Sequence, residues 1–215
     1  MHRAVVVAMV SLLGGLLGAP ARATPPAKPL SEIPSEWKAA VDRAFVAFQQ
    51  LQERLQRRLL DELASQGPAG AVGVCREVAP ALTESVARET NLLLGRTSHR
   101  LRNPVNRART WAQEYVDANA GRPASEVQPV WFDLGGRIGV LRPIATGGLC
   151  LLCHGQPDGM DPQQRAVLAE LYPNDRAVGF REGELRGFFW AEVEKPKAPQ
   201  ASHDAEADEK NAARP

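Results

Sequence analysis

The sequence predicts an α+β domain in which amino-terminal helices pack on a small antiparallel sheet. Three observations lead there. Apolar residues recur at helical spacing through residues 37–65 and again through 69–90. Gly135-Gly136 separates two runs of β-branched and aromatic residues, 127–134 and 137–144, as a two-residue hairpin turn does. Residues 185–194, with Phe188, Trp190 and Val193, form a further strand-like run behind the turn residue Gly183. A chain of 215 residues, 44% hydrophobic and 24% charged, can bury one sizeable core and leaves little room for a second full domain.

Taken in order, residues 1–23 read as a signal peptide: Arg3 supplies a positive start, residues 4–17 an apolar run, and Ala21-Arg22-Ala23 a small-residue cleavage site. Ser11, Gly14 and Gly15 interrupt that run, which is shorter than the roughly 20 residues of a membrane span. Cleavage after Ala23 and release to the periplasm are therefore expected, with no membrane span in the mature chain. Residues 24–34 are rich in Pro and Ala and read as an extended lead-in to a domain at 35–194.

The first helix of that domain carries Val41, Ala44, Phe45, Phe48, Leu51, Leu55, Leu59 and Leu63 on one stripe, and Gly67-Pro68 stops it. The second carries Val72, Cys75, Val78, Ala79, Leu82 and Val86, a pattern that points Cys75 inward. Residues 95–106 are polar and irregular and read as an ordered loop, followed by a third helix over 107–119. The hairpin and the last strand complete the domain. Residues 195–215 are Pro, Ala and charge, the composition of a disordered tail.

The chain holds 26 basic and 25 acidic residues, and removing Arg3 and Arg22 with the leader leaves one acidic residue in excess. Such a balance excludes an electrostatic nucleic-acid binder. Three cysteines, Cys75, Cys150 and Cys153, are too few for a disulfide-stapled scaffold.

Cys150-Leu151-Leu152-Cys153-His154 carries the chemistry. C-x-x-C-H is the signature of covalent haem attachment: two thiols one helical turn apart reach the two vinyl groups on one porphyrin edge, and the adjacent imidazole comes beneath the iron. Three other uses fit less well. A thioredoxin-type pair needs a βαβ context and gains nothing from the histidine. A zinc site of Cys75, Cys150, Cys153 and His154 would require neighbouring Cys153 and His154 to face one small ion. A Cys150–Cys153 disulfide leaves His154 unexplained. With a single motif, one haem c is expected, with His154 as its proximal iron ligand.

A distal ligand is ordinarily Met or His. Met160 follows His154 closely, His99 lies in the Arg-rich loop, His203 in the tail, and Cys75 is the odd thiol on an apolar helix face, where it could equally be a buried inert residue. Arg96, Arg100 and Arg102 could pair with haem propionates or form surface pairs with Glu84 or Glu89.

Several stretches together resemble one family. They are Ala71-Val72-Gly73-Val74-Cys75, Gly95-Arg96-Thr97-Ser98, Arg102-Asn103-Pro104 with Asn106, Pro143-Ile144, and the motif through Gly155. To these add Tyr172-Pro173-Asn174-Asp175, Ala177, Gly179-Phe180 and Gly183 to Gly187. Over about residues 45–193 the chain resembles the Tll0287-like single-haem c-type domains. That resemblance implies a fold similar to PAS sensor domains, with Cys75 able to serve as the axial ligand opposite His154. His99 stands where an aliphatic or basic residue is more usual.

Two functions follow as expectations. The first is an exported monohaem cytochrome in electron transfer or redox response, with a redox partner protein that the sequence does not identify. The second is a haem-based sensor or gas-binding module. An enzyme of the peroxidase type would need a distal acid–base group, for which only His99 offers itself.

Overall fold

The computed structural model describes residues 24–194. The signal peptide and tail expected at 1–23 and 195–215 lie outside them. Helical periodicity produces α1, Ser35–Thr90, which is broken once, at Gly67 with φ 68 and ψ −173, just before Pro68. Only glycine takes such a φ without a Cβ penalty, and proline restarts a helix without needing a hydrogen-bond donor. The two arms fold back on each other, held by Arg54 to Glu89, with Nη1–Oε1 2.7 Å and Nη2–Oε2 2.5 Å. The second arm ends at Asn91 in the left-handed region (φ 51), and the Leu92 amide closes it on the Ala87 carbonyl at 3.0 Å.

Five strands form one antiparallel sheet: β1 Lys28–Pro29, β2 Leu93–Thr97, β3 Val130–Asp133, β4 Arg137–Ala145 and β5 Leu185–Glu194, in the order β1-β3-β4-β5-β2. The β3–β4 hairpin turns on Gly135 and Gly136, with φ 72 and 82, the positive pair that a tight hairpin demands. The chain is thus α+β, as expected, although β1 precedes α1 and the shorter helices lie between strands.

Each sheet face is covered. Trp37, Ala44, Phe48, Leu51 and Val86 of α1 pack on Ile138, Val140, Phe189 and Val193, and Phe48 stacks on Phe189 with ring centroids 5.6 Å apart. Trp111, Ala112 and Val116 close the other face over Phe132, Leu141, Leu185 and Phe188. A third cluster joins Val72 of α1 to Met160, Leu168 and Tyr172, the contact of α1 with α4, Pro162–Leu171.

Three expectations need correction. The lead-in is partly a strand: β1 pairs with β3, and Trp131 Nε1 donates to the Pro29 carbonyl at 3.2 Å. The supposed loop at 95–106 begins inside β2, which pairs with β5. The third helix is only α2, Gln113–Ala118. Residues 107–112 are held out of it because Arg109 Nε and Trp111 Nε1 both donate to buried Glu192, at 2.8 and 2.9 Å.

Candidate functional site

Helix α3, Gly148–His154, carries the whole Cys-Leu-Leu-Cys-His motif. Cys150 and Cys153 stand one turn apart, neither is in a disulfide, and both are partly exposed. Gly155 ends the helix, its amide bonded to the Leu151 carbonyl at 3.0 Å; a Cβ there would lie 2.6 Å from the same oxygen. A side chain at 155 would therefore force the motif's last turn apart. Helix α4 follows, capped by Asp161, whose Oδ1 accepts from the amides of Gln163 and Gln164. Buried Gln164 then donates through Nε2 to the Leu152 carbonyl at 2.8 Å and to Cys153 Sγ at 3.0 Å.

The segment after α4 wraps the other side of the motif. Gly179 and Phe180 amides donate to the Gly155 and His154 carbonyls, at 2.8 and 2.9 Å. His154 Nδ1 lies 2.6 Å from the Ala177 carbonyl. A carbonyl can only accept, so the proton sits on Nδ1 and the lone pair on Nε2. Arg186 of β5 sets Nη2 3.2 Å from Nε2 and 3.4 Å from Nδ1, near-equal distances that put the guanidinium against the face of the ring. Burial above all, then the charges of Arg186 and Arg102, hold the imidazolium form well below the usual histidine range, so the ring is neutral near pH 7. A neutral imidazole with Nδ1 tied to a carbonyl is the form in which histidine ligates a metal.

The arginines divide by role. Arg102 is buried and donates through Nε to Asp175 Oδ2 at 2.9 Å and through Nη2 to the Cys153 carbonyl at 2.5 Å. Arg100 pairs with Glu184, donates to the Val178 carbonyl at 2.9 Å and lies 3.7 Å above the Phe180 ring. Neither reaches Glu84 or Glu89, which bond to Arg88 and Arg54 instead. Arg186 is different. Its guanidinium touches Ser98 Oγ at 3.2 Å and His154, and no carboxylate pairs with it among the described residues. Burial, then the charges of Arg102 and Arg96, push its pKa down to about 10.

Of the other sequence candidates, Met160 is buried in the cluster with Leu168 and Tyr172. His99 meets the Phe180 ring edge-on at 5.7 Å and has a buried Nδ1 without a hydrogen-bond partner. His203 lies outside the described residues. Cys75 sits in the second arm of α1, and its side chain likewise lies outside them; α1 packs against α3. Three residues of the site have no role assigned from the sequence: Gln164, and Ala177 and Arg186, which enter only within the stretches that carry the family resemblance. Arg186 left a trace in its own right, as a charge just ahead of the apolar run Phe188–Ala191.

The Tll0287-like family model matches residues 31–193, so most of the chain is covered. The chain belongs to the Tll0287-like family. Among solved structures, the cyanobacterial heme-protein Tll0287 is similar, with 25% sequence identity and a TM-score of 0.53, over 76% of this chain and 99% of that one. No curated protein matches the sequence. Among the described residues of this family member, no helix is long and apolar enough to cross a membrane.

Proposed function

We propose that this chain carries one covalent haem c, attached through Cys150 and Cys153 with His154 as the proximal iron ligand and Cys75 opposite, and serves in electron transfer or redox response in the periplasm. The observation that carries the reading is His154: Nδ1 is committed to Ala177, Nε2 presents its lone pair, and both thiols stand on the same short helix. The similar cyanobacterial protein is a heme-protein by its description, which supports the same cofactor here. Haem bound there supplies one-electron exchange between ferric and ferrous iron.

The residues present fit that group, and each has a task. Ala177 holds the proton at Nδ1 and so fixes the ring's tautomer and orientation. Gln164 holds the Cys153 sulfur, and Arg102 holds the Cys153 carbonyl against Asp175, so the motif helix cannot rotate freely. Arg186 sets a cation against the imidazole, 3.2 Å from Nε2 and 3.4 Å from Nδ1. A thiolate at Cys75 would donate electron density and favour ferric iron, giving a low potential for a c-type cytochrome.

The finer architecture we read as PAS-like, supported by the five-stranded antiparallel sheet with α1 across one face. Haem staining after denaturing electrophoresis tests the reading: stain should travel with the exported polypeptide and vanish in Cys150→Ala/Cys153→Ala. Haem extracted by acid acetone from the intact protein would overturn it.

A further inference from the structure

Arg186 is aimed by a defect in the sheet. Strands β4 and β5 pair Pro143 with Phe188 and Ile144 with Gly187, then Ala145 with Leu185, so Arg186 is skipped and has no partner on β4. Such a bulge re-aims the side chain of the extra residue and recurs beside functional sites. The neighbouring residue has to be glycine, because a Cβ at Gly187 would lie 2.2 Å from the Thr97 carbonyl of β2. Ser98 Oγ accepts from Arg186 Nη1 at 3.2 Å and donates to the Arg186 carbonyl at 2.7 Å, pinning the bulge on both sides. The guanidinium lies 4.8 Å from the centre of the Phe180 ring, against which His154 also packs edge-on.

The charges around Arg186 do not balance. Arg96 and Arg102 are close enough to act on it, and Asp175, the nearby carboxylate, is committed to Arg102. A guanidinium removed from water needs an anion or several good acceptors. What Arg186 has is a serine hydroxyl and an imidazole. Nη2 lies 3.2 Å from Nε2 and 3.4 Å from Nδ1, against the face of a neutral ring that supplies no negative charge.

We propose that Arg186 is a carboxylate-binding residue of the haem pocket: it rests on His154 while Nε2 is uncoordinated and turns to a haem propionate when iron takes that nitrogen. A planar guanidinium fork suits a carboxylate, and a charge-assisted bond is stronger than the contact it replaces. The inference rests on the haem attachment proposed above and adds to it the group that neutralises the propionates.

The test uses the haem-loaded protein with Arg186→Leu and Arg186→Lys, reading the midpoint potential and the propionate bending band in the resonance Raman spectrum. A cation beside the haem disfavours the ferric state, so Arg186→Leu should lower the midpoint and shift the band, whereas Arg186→Lys should keep the midpoint close to wild type. A residue with only a structural role would move neither. Haem-loaded Arg186→Leu with wild-type midpoint and band overturns the proposal. If that variant does not fold, Arg186→Gln, similar in shape and uncharged, is judged by the same two readouts. A wild-type chain without covalent haem on the stained gel overturns the attachment reading and this inference with it, so the two failures are distinguished.

Discussion

Arg102→Met should be the most damaging single substitution in the site, through loss of anchoring rather than loss of a ligand. Its side chain and that of Asp175 keep only 7% and 12% of their surface, so the pair is nearly out of water. Removing one partner of a buried pair leaves the other charge uncompensated and costs about 3–5 kcal/mol. The Cys153 carbonyl loses its donor in the same step, and the segment that carries Ala177 loses one of its ties to the motif helix. Taking about 2 kcal/mol per molar urea as the denaturant dependence, the unfolding midpoint should fall by about 2 M. The assay is urea unfolding of the haem-loaded protein followed by tryptophan fluorescence. Arg102→Met/Asp175→Leu should recover part of the loss, because neither charge is then buried alone. A loss below about 1 kcal/mol for Arg102→Met, inside the range of surface pairs, would refute the reasoning.

Three further outcomes follow from single features. The Glu89 carboxyl is lowered to about 2, first by its hydrogen bond to Arg54 and then by Ser85. A depressed carboxylate stabilises the fold above its ordinary value near 4.5 and ceases to as pH falls toward 2. The stability difference between wild type and Arg54→Met, measured by urea unfolding, should therefore shrink across that window and shrink with added salt; a difference independent of pH would count against the pair. Gly155→Ala places a Cβ against the Leu151 carbonyl and should reduce the haem stained per polypeptide, and undiminished staining would show that α3 tolerates the side chain. Cys75→Ser should leave haem attached while changing the ferric absorption spectrum, and an unchanged spectrum would move the search for the distal ligand to His99.

Features written in short periods were legible in the sequence: the helical stripe of α1, its break at Gly67-Pro68, the turn at Gly135-Gly136, the run that becomes β5, and the spacing of Cys150, Cys153 and His154 on one helical turn. Neighbours a few residues apart set these features, so pattern and propensity suffice. Contacts between residues distant in sequence set the rest. Leu93–Thr97 becomes a strand because β5 pairs with it across nearly a hundred residues, in spite of Gly95 at its centre. Residues 107–112 leave the helical pattern because Glu192, far along the chain, takes the Arg109 and Trp111 donors. Arg100 and Arg102, equivalent on sequence grounds, go to Glu184 and Asp175, whose positions depend on how the segment after α4 returns to the motif. The orientation of His154 comes from Ala177, which offers nothing but a backbone carbonyl and so leaves no mark in its side chain. Arg186 reaches that imidazole only through a register shift between two strands, and register is a property of their pairing that neither strand holds alone.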